Sequence, residues 1–129
     1  MERWANSATV VIQGELQTLK VDCELAITPQ ERAKGLMYRK EPLGEDKGML
    51  FIMDIVAEHS FWMRNTYIPL DMVFIGENET VACIVANAVP RTQTSRKCGA
   101  PSRYVLEIDG GLVQKYGIQP GQSVVVQFP

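Results

Sequence analysis

No apolar run in the 129-residue chain approaches the roughly 18–20 residues that a membrane-crossing helix needs, so membrane insertion is not expected. Neither charge dominates. Thirteen Lys and Arg against fifteen Asp and Glu leave −2, which offers no pull toward nucleic acid or an anionic surface. Histidine occurs once, at His59, and the three cysteines (23, 83 and 98) form no CxxC pair. No His/Cys metal site, no cofactor and no Ser-His-Asp grouping is therefore expected. Gly110-Gly111 alone is not a phosphate-cradling loop. Met1–Ser7 holds no apolar stretch of signal-peptide length, as in a cytoplasmic chain or an exported one whose leader has been removed. What is present, 46% hydrophobic and 22% charged residues, suits one domain with its own core. The reading is a flexible tail over residues 1–7 and one β-rich domain over 8–129.

The clearest pattern is Leu19, Val21, Cys23, Leu25 and Ile27 alternating with Lys20, Asp22, Glu24 and Ala26, the period of a half-buried strand. Thr9–Gln13 precedes it across a Gln13-Gly14-Glu15 turn. Thr28-Pro29-Gln30-Glu31 then reads as a helix start with a capping box, and Gly35 shortens that helix. Strands are expected at 49–53, 60–63, 70–75, 80–89, 104–109 and 123–128. The segment 80–89, apolar on both faces, reads as a central strand. A second short helix over 111–116 ends at Gly117. Many short strands with glycine-bearing turns predict a mostly β fold, a sandwich or partly closed barrel of about seven strands with one or two short helices.

The densest polar grouping is Arg64-Asn65-Thr66, between apolar stretches and followed by Asp71. As a cleft rim, Trp62 and Tyr67 would supply flat apolar surface while Arg64, Asn65 and Asp71 orient a ligand. The plainer account makes Asn65 and Thr66 turn residues bonded to their own backbone, and Asp71 a bridge to nearby amides. Arg32 and Arg39 could hold a carboxylate or phosphate in a fork, or could pair with Asp71 or Glu107 and pin the helix to the sheet. Glu107 and Asp109 share one strand face, which reads as wet; acid–base work would need their pKa values driven apart. Met37, Met49, Met53, Met63 and Met72 serve better as core filler than as copper ligands. From Thr80 to Leu106 there is no acidic residue, giving a basic loop without aromatic interleaving. Cys83 and Cys98 could form a disulfide, the odd count leaving one thiol free.

Several blocks taken together resemble a known family. Glu31-Arg32-x-x-Gly35-Leu36-Met37-x-Arg39, Gly48-Met49-Leu50-Phe51 and Phe61-Trp62-Met63-Arg64-Asn65-Thr66-x-Ile68-Pro69-Leu70-Asp71-Met72 are similar to signature segments of the bacterial and archaeal domain of unknown function 192. Val105-Leu106-Glu107 and Gly117-Ile118-x-x-Gly121 fit as well, so the resemblance spans about residues 8–128. Arg64 stands where lysine is more usual. The resemblance implies a sandwich-like β domain, and export in many members, which points to an extracytoplasmic location. It implies no reaction.

The resulting expectation is a non-catalytic extracytoplasmic domain that binds a small polar ligand or polymer segment. Its site would be Arg32, Arg39, Trp62, Arg64, Asn65, Thr66, Tyr67, Asp71 and Glu107. One alternative is a hydrolase using Asp71 or Glu107 with an arginine stabiliser; another is a protein–protein interaction module.

Overall fold

The computed structural model describes Ser7–Pro129. The strands are β1 (Ser7–Gln13), β2 (Thr18–Ala26), β3 (Lys47–Ala57), β4 (Leu70–Ile75), β5 (Val81–Ala88), β6 (Ser102–Asp109) and β7 (Val124–Gln127). The helices are α1 (Pro29–Lys34) and α2 (Leu112–Tyr116). All seven strands form one sheet in the order β5-β4-β6-β3-β2-β1-β7. Only β2 and β3 run parallel, and the connection between them carries α1, as a parallel pair requires. The sheet curls until its edges touch at one corner. There Val81 N donates to Gln122 O at 2.9 Å, Gly121 N to Val81 O at 2.7 Å and Val124 N to Glu79 O at 3.0 Å. The result is a half-closed barrel, mostly β as the strand count and turns predict. Residues 1–6 of the expected tail lie outside the described residues, and Ser7 already belongs to β1.

Each face of the sheet has its own core. The inner one draws from every strand: Val10, Val21, Leu50, Val73, Val81, Leu106 and Val124 are among its members. The outer one is built from the middle strands with residues of the loops, including Met49, Phe51, Met72, Phe74, Val105 and, just after α1, Leu36. Strands β3, β4 and β6 are thus packed on both sides, and all six residues of β4 are buried. This corrects the reading of 80–89 as central: β5 is an edge strand, half exposed along its middle. Its small Ala, Cys and Asn residues suit a partly covered margin. Residues 60–63 are not a strand either. Only Phe61 pairs, bridging Arg96, and Phe61 N donates to Arg96 O while Arg96 N donates to Phe61 O. The alternation along β2 also reverses at its end, where Ala26 is buried and Ile27 exposed, because the chain there turns onto the outer face to enter α1.

Local chemistry sets the helix. Thr28 Oγ1 accepts from Glu31 N at 3.1 Å and Glu31 Oε1 accepts from Thr28 N at 3.0 Å, closing the capping box. Gly35, at φ +48°, ends α1 after six residues.

Two restraints position the outer face. Gly48 lets β3 pass close to β6: a Cβ there would stand 2.8 Å from the Glu107 carbonyl oxygen and 3.0 Å from Val21 Cγ1. Gly48→Ala is expected to cost about 2 kcal/mol of stability through overpacking, measurable as a lowered urea midpoint. A disulfide joins Cys83 on β5 to Cys98 in the loop that follows, with Cα atoms 5.9 Å apart. Closing a loop of 15 residues is worth on the order of 3 kcal/mol through the unfolded chain. The double replacement Cys83→Ser, Cys98→Ser should lose that amount, and wild type unfolded in reductant should lose it too. Cys23 is the free thiol, and burial pushes it up to about 12, so it stays protonated.

Candidate functional site

The outer face of β6 is where sequence and structure part most. Strand register places Met49 of β3 and Met72 of β4 directly opposite Glu107, while Phe51 and Phe74 both pair with Val105, two residues along the same face. Glu107 therefore sits at the centre of an apolar patch, only 4% exposed, not on the wet face that its spacing with Asp109 implies. Its carboxyl makes no hydrogen bond or ion pair among the described residues, and burial alone pushes it up to about 8. At neutral pH it is mainly a neutral carboxylic acid, able to donate its O–H.

Above Glu107 lies a cleft of about 360 Å³. One wall is α1 with Gly35, Leu36 and Met37; the other is Ser60, Phe61, Trp62 and Thr66, with Phe51 and Met53 of β3 between them. Phe51 and Phe61 meet edge to face at 5.0 Å between centroids. Arg32 lines the cleft with its charge already engaged. Its guanidinium donates to Asp54 at 3.0 Å, to Ile52 O at 3.2 Å and to Ile27 O, which latches α1 to β3. The expected latch exists, then, but its carboxylate is Asp54 and not Asp71 or Glu107. Glu107 is the one acid lining this cleft among the described residues.

The segment 60–66 is held from behind. Met63 N donates to Thr92 O, Arg91 N to Thr66 O, and Tyr38 N to Asn65 O at 2.8 Å. Asn65 takes φ +54°, a left-handed turn position that asparagine tolerates. Its Nδ2 donates to the Tyr38 hydroxyl at 3.2 Å, and Thr66 Oγ1 donates to Arg64 O. Trp62 is 44% exposed, with the Arg64 guanidinium 5.4 Å from its ring centroid. Tyr67 stands edge-on to Tyr38, 6.3 Å between centroids.

The structure thus gathers Arg32, Trp62, Thr66 and Glu107 around one cleft, with Arg64 against Trp62 and Asn65 and Tyr67 at the adjoining turn. It sends Arg39 and Asp71 elsewhere. Arg39 forms a two-pronged pair with Glu24 at 2.6 and 2.7 Å, which holds the Glu24 carboxyl below its usual range. Asp71 precedes Met72, so its side chain leaves the opposite face of the sheet from Glu107. It is fully buried there, accepting from Asn87 N at 2.8 Å, Gly111 N at 3.0 Å and Val113 N at 2.9 Å. It ties β5 and the start of α2 to β4. Asp109 is spent likewise on Leu43 N and Gly44 N. No two carboxylates converge in the cleft among the described residues.

Leu36, Phe51, Phe61 and Met53 complete the cleft and are absent from the residues expected on sequence. The available signal was the acid in Val105-x-Glu107, on a face that begins with valine. Met49, Met63 and Met72 belong to the outer core, and only Met37 and Met53 reach the cleft.

The architecture is a curled seven-stranded sheet with a cleft over a buried acid. The chain belongs to the DUF192 family, described as "Uncharacterized ACR, COG1430", whose model matches residues 9–126. Among solved structures it is similar to a protein of unknown function from Novosphingobium aromaticivorans DSM 12444. That match has 44% identity and a TM-score of 0.86, over 91% of this chain and 83% of that one. It is also similar to a protein from Sinorhizobium meliloti 1021, described provisionally as a transcription regulator. Identity there is 35% and the TM-score 0.88, over 98% of both chains. Comparison with curated proteins returns no significant match.

Proposed function

We propose that this domain is a non-catalytic binder of a small organic molecule, which enters between α1 and the 60–66 segment and meets Glu107 at depth. The observation that carries this reading is the Glu107 carboxyl, buried at the cleft floor without a partner from the protein. An isolated buried acid costs stability, and such costs are a mark of functional sites. The surrounding Leu, Met and Phe side chains favour a ligand whose body is mainly apolar, in place of the strongly polar ligand that Asp71, Arg39 and Arg64 would have called for. The hydrolase alternative lacks a second acid in the cleft among the described residues. A location outside the cytoplasm fits the Cys83–Cys98 disulfide, since such bonds persist in oxidising compartments.

The test is a screen of apolar fragments against the isotopically labelled protein by amide NMR. Hits should shift Leu36, Phe51, Phe61 and Thr66 together and should weaken in Glu107→Leu. Fragments that bind only elsewhere on the surface would overturn the proposal.

A further inference from the structure

We infer that the ligand of this cleft is an organic cation, an amine or other protonated nitrogen base whose charged head pairs with Glu107 beside the rings of Phe51 and Phe61. This deepens the binding reading above and rests on it. Register surrounds the carboxyl with Met49 and Met72 opposite and Phe51 and Phe74 diagonal, so the sheet itself brings it no cation. The charges facing it from other elements do not pair with it either. Arg32 of α1 is engaged by Asp54, Lys34 stands exposed at the rim, Arg64 lies against Trp62, and Asp109 is held by two amides. A ligand cation would supply the missing partner. An ion pair with a hydrogen bond in a low-dielectric site is worth more than a neutral hydrogen bond. Phe51 and Phe61 line the same cleft, and aromatic rings attract a cation through their quadrupoles. Lys34 opposes it only weakly, across solvent that screens the repulsion.

The proton balance makes the inference testable. An amine that is already protonated at pH 7 keeps its proton, while Glu107 must give up its own to the buffer before the pair can form. With the carboxyl at about 8, pairing at pH 7 releases close to one proton per ligand bound. A neutral ligand that accepts the Glu107 O–H releases none.

The probes are 2-phenylethylamine, 2-phenylethanol and phenylacetate, which share an apolar body and differ in head group. Calorimetry in phosphate and in the zwitterionic buffer MOPS at pH 7 gives the proton count, and amide NMR gives the location. The amine is expected to bind in the cleft about tenfold or more tightly than the alcohol, with proton release near the value above. Its affinity should rise up to tenfold per pH unit between pH 6 and 7.5. Glu107→Gln, checked for folding by its thermal transition, should lose at least tenfold in amine affinity and all of the proton release, with a smaller change for the alcohol. Tighter binding of the alcohol or phenylacetate, or amine binding without proton release, would overturn the cation assignment and leave the binding cleft standing. If none of the three probes shifts the cleft amides, the binding reading itself fails.

Discussion

Glu107→Gln is expected to stabilise the protein at pH 8 by on the order of 4 kcal/mol. The buried carboxyl ionises near 8 in the folded chain, against an ordinary value of 4.5. Below that ordinary value it is protonated in both states and adds no pH dependence. As pH rises toward 8, the unfolded chain loses the proton while the folded chain retains it. Wild-type stability therefore falls, by up to about 1.4 kcal/mol per pH unit from this one group. Above 8 the loss is complete. Glutamine has nearly the same shape and never ionises, so the difference between variant and wild type should be small at pH 4.5 and grow steadily to pH 8. Urea unfolding of both proteins at three pH values across that window measures it. A difference that stays constant with pH would mean that burial does not hold this acid neutral, and the chemistry assigned to the cleft would go with it.

Asp71→Ala should act in the opposite direction and lose about 3–5 kcal/mol. Three backbone N–H groups, of Asn87, Gly111 and Val113, donate to this one carboxylate. Removing it leaves these partly or fully buried donors without their acceptor, and each orphaned donor costs about 1–3 kcal/mol. Asp71→Asn keeps one acceptor oxygen and turns an amide N–H₂ toward a donor, so a loss of about 2 kcal/mol is expected. Hydrogen exchange gives a second, local reading: in both variants the amides of Asn87, Gly111 and Val113 should lose protection before those of β3. Wild-type stability in Asp71→Ala would show that β5 and α2 are held in place without this anchor.

The two carboxylates show what strand periodicity can and cannot convey. In the sequence, Asp71 heads an apolar strand and Glu107 lies within another, and both were equal candidates for a polar site. Their partners divide them. Asp71 meets amides of β5 and of the α2 start; Glu107 meets methionine and phenylalanine of the neighbouring strands. Alternation correctly put Glu107 and Asp109 on one face of β6, but that face is not wet, because α1 and the 60–66 segment fold over it. Trp62 and Thr66 were recognisable as cleft residues from a polar turn set among aromatics. Arg39 was not separable from Arg32, since an exposed pair with Glu24 and a latch onto β3 look alike as two arginines seven positions apart. The 60–63 stretch has strand-like composition, yet it gains only one bridge to Arg96, because the middle strands already have neighbours on both sides.

Short-range pattern is enough for the local elements: the β2 alternation, the Thr28–Glu31 capping box, the Gly117 helix stop and the turns. The sequence also determined that the fold would be β-rich, and its motif blocks marked the family. These features rest on interactions among residues a few positions apart, whose free energy hardly depends on what lies beyond them. Long-range packing sets which face of β6 is buried, which arginine meets which acid, and that Asp71 serves the fold while Glu107 faces a cleft. Those outcomes depend on which distant segments come together. The same carboxyl is a spent acceptor among backbone amides or an unpaired acid among aromatic rings according to its surroundings.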